Sequence, residues 1–427
     1  MNKYTYMYRD EVEIPPLSMV DDLLSVSECG FKTTMSNAFL TLKTDTKKLQ
    51  FGAKKCKKMH VGKSHEKYKC QDLKVDKWEE LNVYDEENGM EDIKDVRTGY
   101  EIMEEKSEEK YLGDILSADG KNIKNIKARV AKAKGIISRI MTILEGIPFG
   151  KFYFEVGLIL RESLLMSSML FNSEAWYNVT KPELELIETV DVQFLRRIFR
   201  APKSTPKEML FLETGCVPFR EIIRKRRILF LQYILNEKEE SILKKFLLKQ
   251  MQTKKPRDWI SQVLSDLKEL DIALSFEEIK SIKKSTLKFM INETIKRRAF
   301  QDLIEKKKSH SKVREIKHER LELQKYLKAI NIKMNIEEAQ EIFKMRCRVS
   351  DVKMNFKGIY ENWNCEFCKD ENETQLHLIE CEKLNQCKKE YEKPPEYEEL
   401  FKTNVENQLK LVRHFLQNIK IREKMKT

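Results

Sequence analysis

Glycine and proline are scarce in this chain, at 13 and 10 of 427 residues. That leaves little material for a turn-rich, all-strand architecture and favours long helices. No window approaches 18 uninterrupted apolar residues, so no hydrophobic membrane span is expected. Met1 to Asp10 is polar and lacks the apolar stretch of a secretory signal; a nuclear or cytoplasmic location and no membrane partner are the expectation. There are only six histidines. The nine cysteines are not spread as a secreted disulfide framework, since four crowd between positions 365 and 387, a spacing that points to metal.

Charge, by contrast, is abundant: 35% of residues are charged and the formal net charge is +12. It is unevenly placed. The first 120 residues hold 19 basic and 25 acidic side chains, and the remainder 62 and 44. A basic, helical C-terminal part suits a polyanion, most simply nucleic acid, although solvated lysine-rich helix faces produce the same count.

Near the start, Leu17-Ser18-Met19-Val20-Asp21-Asp22-Leu23-Leu24 sets two adjacent carboxylates between short apolar runs. Neighbouring strand side chains point to opposite faces, so such a pair fits a hairpin tip where one carboxylate faces a metal and the other swings beside it. Joining nucleotides needs two divalent ions, and hard ions of this kind take carboxylate oxygens. Asp-Asp pairs also occur at ordinary turns and helix starts, so the dipeptide needs its neighbours to carry that reading.

Residues 1 to 28 read as strand, turn, strand, with Pro15-Pro16 extending the approach. Met35, Ala38, Phe39 and Leu42 fit an amphipathic helix over 33–49, followed by a basic strand over 54–61. Cys56, His60, His65 and Cys70 have an order open to a zinc reading, but Cys56 and His60 also share one strand face, where they would simply pack. Residues 76 to 110 are acidic, with turn signals at Asn88-Gly89 and Thr98-Gly99. Tyr111 to Leu116 reads as a short strand closed by a turn at Asp119-Gly120.

The strongest helical period follows: Ile123, Ile126, Val130, Ala133, Ile137, Ile140 and Leu144, ended by Gly146 and Pro148. Lys124, Lys127, Lys132, Lys134 and Arg139 lie mostly off that stripe, so one face packs and the other is basic. Residues 151 to 330 read as a helical array with capping-box spacings at Thr180–Glu183, Thr205–Glu208 and Ser275–Glu278. Val217-Pro218 opens a helix carrying Arg220, Arg224, Lys225, Arg226 and Arg227, candidate phosphate contacts or a solvated face.

Cys365-Glu-Phe-Cys368, eight residues, His377, three residues, Cys381 is the most specific local pattern. Two cysteines on a tight turn plus a His and a Cys four apart on a helix close a tetrahedron suited to zinc. With no open position the site would be structural. Cys387 is the alternative ligand, and Trp363 and Phe367 would pack beside the site or stack on bases. A last amphipathic helix runs through Val405, Leu409, Val412, Leu416 and Ile419.

The ordered set Met19-Val20-Asp21-Asp22, Phe51-Gly52-Ala53-Lys54-Lys55-Cys56, Tyr111-Leu112-Gly113-Asp114, a basic helix and C-x2-C-x8-H-x3-C resembles the C-terminal part of a non-LTR (LINE-type) retrotransposon reverse transcriptase. The resemblance implies a mainly α fold with a small α+β N-terminal part. It divides the chain into a partial palm (1–75), an acidic hairpin with a primer-grip-like strand (76–120), a helical thumb and connection (121–334), a zinc-knuckle region (335–390) and a C-terminal helix (391–427). It also implies Asp21 and Asp22 as Mg2+ ligands, Lys54 or Lys55 toward the incoming nucleotide, and Tyr111, Leu112 and Gly113 on the primer. Lys124, Lys127, Lys132, Arg224 and Arg227 would meet RNA or DNA, and Cys365, Cys368, His377 and Cys381 would hold structural Zn2+.

Complete enzymes of this family carry fingers and a third metal-binding aspartate upstream of the pair, so a truncated chain without polymerase activity of its own is expected. The competing readings are a zinc-containing helical binding or scaffold protein without catalysis, and a charged helical protein with no nucleic-acid role.

Overall fold

The computed structural model describes residues 6–8, 12–14, 17–19, 22–24, 56–59, 74–85, 90–147, 152–330, 334–356, 358–388 and 392–424. Its architecture is mainly helical, as the scarcity of chain breakers implies. It divides into two compact units. One comprises Met1–Lys127, Trp176–Val179 and Leu231–Leu264; the other comprises Ala128–Ala175, Thr180–Phe230 and Ser265–Thr427.

The first unit holds five two-stranded ladders. β1 (Tyr6–Tyr8) pairs antiparallel with β2 (Val12–Ile14), and β3 (Leu17–Met19) pairs antiparallel with β4 (Asp22–Leu24). Met19 stands opposite Asp22, so only Val20 and Asp21 separate the two strands in sequence, a spacing that belongs to a two-residue hairpin. The expected helix over 33–49 lies outside the described residues. Of the expected basic strand, Lys57–Lys58 forms β5, parallel to β8 (Glu104–Glu105), with Lys57 Nζ 2.7 Å from Glu104.

The acidic section is the longest ladder: β6 (Lys74–Asp85) pairs antiparallel with β7 (Met90–Ile102). Thr98-Gly99 is not a turn there. Lys77 pairs with Gly99 and Trp78 with Arg97, so Thr98 is the extra residue of a β-bulge, which absorbs the break that the Gly signals. A second correction concerns residues 111 to 116. β9 (Glu108–Tyr111) and β10 (Asp114–Ser117) pair antiparallel, and Leu112-Gly113 is the turn between them, with φ of 46° and 87°. Two consecutive positive φ values match the right-handed twist of a hairpin, and Gly113 supplies the conformation at little cost.

α1 (Ile123–Glu145) follows, beginning where Asn125 bonds both the Asp114 carboxylate (2.7 Å) and the Ile115 amide (3.3 Å). Ile126, Ala133, Ile137, Ile140 and Leu144 are buried, which is the apolar stripe read from the sequence.

In the second unit, α2 (Tyr153–Leu160) runs through a π-helical turn (Arg161–Met166) into α3 (Ser167–Met169). The buried Arg161 in that turn makes a bidentate pair with Asp191, both contacts 2.6 Å, and donates to the Val217 carbonyl. Asp191 lies on α4 (Lys181–Ile198), which opens with the expected Thr180–Glu183 capping box. The box expected at Thr205–Glu208 is absent. α5 (Lys207–Thr214) starts one residue later behind Pro206, and the buried Glu208 turns to His310, 3.2 Å away.

Phe154, Phe199 and Phe343 form the centre of the core, with ring centroids 5.0 and 3.8 Å apart along the column. α6 (Phe219–Asn236) opens after Pro218; α7 (Ile242–Thr253), which belongs to the first unit, and α8 (Trp259–Glu269) follow in sequence. α9 (Phe276–Ser281) carries the expected Ser275–Glu278 box and leads to α10 (Lys284–Lys307) and α11 (Lys325–Lys328). α12 (Ile336–Arg346) opens with an Asn335–Glu338 box that sequence reading missed.

Glu213, at the end of α5 and fully buried, joins α5 to α11 and α12. Its carboxylate meets His318 at 2.9 Å, Arg346 of α12 at 3.0 and 3.1 Å, and the Tyr326 hydroxyl of α11 at 2.8 Å. Burial pushes the Glu213 carboxyl up, but Arg346 and His318 outweigh it and hold the group at about 2, below its ordinary 4.5. Gly215 then ends α5 at φ +71°, where a Cβ would lie 2.4 Å from the Glu322 backbone.

Glu213 has a depressed folded-state pKa. Its charge therefore contributes its full stabilisation above about pH 4.5, and that contribution is lost as pH falls toward 2. Glu213→Gln, which strands the buried Arg346, is expected to cost about 3–5 kcal/mol in denaturant melts and to flatten that acid limb. Gly215→Ala is expected to cost at least about 2 kcal/mol, whereas Gly135→Ala on the exposed face of α1, where nothing lies within 4 Å, is expected to stabilise by about 0.5–1 kcal/mol.

Candidate metal centre and nucleic-acid interface

The Cys/His segment folds as a tight turn followed by two short helices. Cys365 is held because its amide donates to the Glu371 carbonyl (2.7 Å) and its carbonyl accepts from the Lys369 amide (2.9 Å). Lys369 has φ +61°, which folds the chain back so that Asn364 bridges Asn372. α13 (Gln375–Glu380) begins with Thr374, whose hydroxyl accepts from the His377 amide, and ends at Cys381, the residue preceding α14 (Glu382–Gln386). His377 and Cys381 are thus one helical turn apart, on the side facing the cysteine turn.

The four ligand atoms lie within 4.8 Å of one another. Cys365 Sγ is 3.9 Å from Cys381 Sγ, and Cys368 Sγ is 3.3 Å from His377 Nε2. A tetrahedral zinc with Zn–S bonds of about 2.3 Å requires sulfurs about 3.8 Å apart, so the donors are already spaced for one ion. His377 Nδ1 is 3.0 Å from Glu371 Oε2, the outer carboxylate that fixes the ring so that Nε2 faces the metal.

The thiols are tuned by their surroundings. Burial pushes Cys365 up to about 11, opposed by the amides of Cys368 and Phe367. Burial acts upward on Cys368 too, but the amides of Glu371 and Asp370 bring it below its ordinary value. Amides aimed at sulfur favour thiolate, the form that binds metal. These residues could hold a metal such as zinc in a closed site of four protein ligands. Cys387 is exposed, bonds the Lys383 carbonyl and stands outside the cluster; Cys347 is fully buried.

No protein-family model, curated protein or solved structure matches this chain.

The other expected site residues separate into three groups. Asp21, Lys54 and Lys55 lie outside the described residues, as do His60, His65 and Cys70. Asp22 is the first residue of β4, and Tyr111, Leu112 and Gly113 form the half-buried to exposed β9–β10 turn. On α1, Lys127, Lys132, Lys134 and Arg139 are exposed, and none of their charged groups meets a carboxylate among the described residues. Lys124 makes an exposed pair with Glu108 at 3.1 Å, an interaction worth little in water.

Arg224 and Arg227 require correction as phosphate contacts. Arg227 is buried and bidentate to Asp266 of α8, at 2.6 and 3.0 Å. Arg224 pairs with Glu221, at 2.9 and 3.0 Å, and with Glu269. Arg224 and Arg227 of α6 therefore meet the acidic side chains Asp266 and Glu269 of α8, and the Arg227 charge is neutralised in the interior.

Purified protein is expected to carry one zinc per chain by elemental analysis, and Cys368→Ser to lose it. Glu371→Gln, which keeps every ligand but weakens the hold on the imidazole, is expected to lower zinc affinity on the order of 10-fold in competition with a chromophoric chelator.

Proposed function

We propose that this chain is the C-terminal part of a non-LTR retrotransposon reverse transcriptase, an RNA-directed DNA polymerase, and that it binds RNA and DNA through the outer face of α1. The observation that carries the binding is the composition of that face: four exposed cations without carboxylate partners among the described residues, and Glu145 as the one acidic side chain of the helix. The geometry suits a phosphate backbone, because counterions held by a duplex or single strand are released only to cations that are not already neutralised.

In this reading Asp21 and Asp22 are Mg2+ ligands at the β3–β4 connection, and the antiparallel pairing of Met19 with Asp22 supports it by leaving two residues between the strands. Lys54 and Lys55 face the nucleotide, and the Leu112-Gly113 turn with Tyr111 contacts the primer. The aspartate pair supplies only part of a two-metal cage, so nucleic-acid binding without primer extension is expected of these 427 residues alone. A second reading, a zinc-containing helical binding or scaffold protein with no catalysis, is favoured by the commitment of Arg224 and Arg227 to internal ion pairs.

Filter binding over a salt series tests the first reading. Lys127→Ala, Lys132→Ala, Lys134→Ala and Arg139→Ala together are expected to weaken RNA and DNA binding. The slope of log K against log salt should fall by about 0.9 for each duplex phosphate that the variant no longer neutralises. Arg224→Ala is expected to lower stability and leave the slope unchanged. A wild-type chain with no salt-sensitive binding sinks the proposal. Asp21→Asn with Asp22→Asn, in a chain joined to an upstream palm, separates the two readings: surviving extension assigns the pair to structure.

A further inference from the structure

The last long helix, α15 (Val405–Lys424), meets the Cys/His segment through its polar side chains rather than through an apolar stripe alone. Arg422 Nη1 reaches the fully buried Glu373 at 2.7 Å and the Asp351 carbonyl at 3.0 Å. Glu373 also accepts from the Lys353 amide at 3.0 Å, while its own amide donates to the Trp363 carbonyl at 2.7 Å. It therefore sits at the base of the cysteine turn, one residue after the Asn364–Asn372 bridge and four before His377.

Farther along, Asn418 donates to the Leu378 carbonyl, and His414 Nε2 lies 3.2 Å from the Ile379 carbonyl. Both carbonyls lie at the end of α13, a six-residue helix too short to sustain itself, and that of Ile379 also accepts from Asn385 Nδ2 at 3.1 Å. Both elements that α15 grips, the turn and α13, are the two that carry the metal ligands.

The surface of this segment argues against contact with phosphate. Among the described residues of 358–386, Glu361, Asp370, Glu371, Glu380 and Glu382 are exposed, against Lys369 and Lys383, and Lys383 lies 3.7 Å from Asp370. Such a face repels a polyanion, unlike the outer face of α1.

We propose that the metal at Cys365, Cys368, His377 and Cys381 is the clamp that docks α15, and that this knuckle does not touch nucleic acid. The ion joins the cysteine turn to α13, and only when joined do Glu373 and the α13 carbonyls stand where Arg422, Asn418 and His414 meet them. The inference rests on the metal site and is independent of the polymerase reading.

The test is hydrogen exchange on the full chain, with and without its zinc, beside RNA binding over a salt series. Chelation of zinc, or Cys368→Ser, is expected to speed exchange of the amides in 405–424 and 375–386 at least about 10-fold while α4 and α10 keep their protection, with re-addition of zinc restoring the chelated protein. Arg422→Met, which leaves every ligand in place, is expected to loosen α15 and retain one zinc per chain. RNA affinity and its salt slope are expected to stay unchanged throughout. Unchanged protection of 405–424 after zinc removal overturns the proposal, and so does an equal loss of protection in α4 and α10. A reduced salt slope in Cys368→Ser with α15 still protected assigns the knuckle to nucleic acid instead.

Discussion

The second unit depends on one buried carboxylate. Glu213 gathers a histidine, a tyrosine and an arginine from segments more than a hundred residues away, and the same arginine donates through Nη1 to the Leu400 carbonyl at 2.7 Å. A charge without water is tolerable only when its lone pairs are all met, so the positions of α5, α11 and α12 are mutually required. Gly215 belongs to the same constraint. The chain must turn left-handed just past Glu213 and let the Glu322 backbone approach closely, so that the Gln324 amide can bond the Glu213 carbonyl.

Two helices of similar basic composition have opposite fates. On α1 the cations alternate around an outer face whose nearest sequence neighbours are small or apolar, and four of them stay in water. On α6 the arginines at 220, 224 and 227 share one face, and that face is met by Glu188, Asp302, Asp266 and Glu269. A desolvated guanidinium with a carboxylate fork is a structural element, since moving it to a phosphate would strand Asp266 in the interior.

That contrast marks what was legible in the sequence. Local rules were: the α1 stripe, its end at Gly146, the capping boxes at Thr180 and Ser275, and the spacing of three thiols and an imidazole all depend on residues within one or two turns of each other. The partners of Arg224, Arg227 and Glu213 were not, because they come from far along the chain and no periodicity encodes them. The misread turns are intermediate cases. Thr98-Gly99 and Leu112-Gly113 both announce a break in regular backbone, but whether it is a bulge or a hairpin turn is decided by the strand opposite. At Thr205 the local signal was overruled: Glu208 has His310 as a partner and is not available to reach back to the helix start.

The donor set of the Cys/His centre also limits its chemistry. Three thiols and an imidazole are a soft donor set that could close around one metal such as zinc and leave no position for substrate. Hard-ion chemistry needs oxygen donors with open coordination, which a set of this kind does not offer. A closed soft set can act only by joining the segments that carry its ligands, here the cysteine turn and α13.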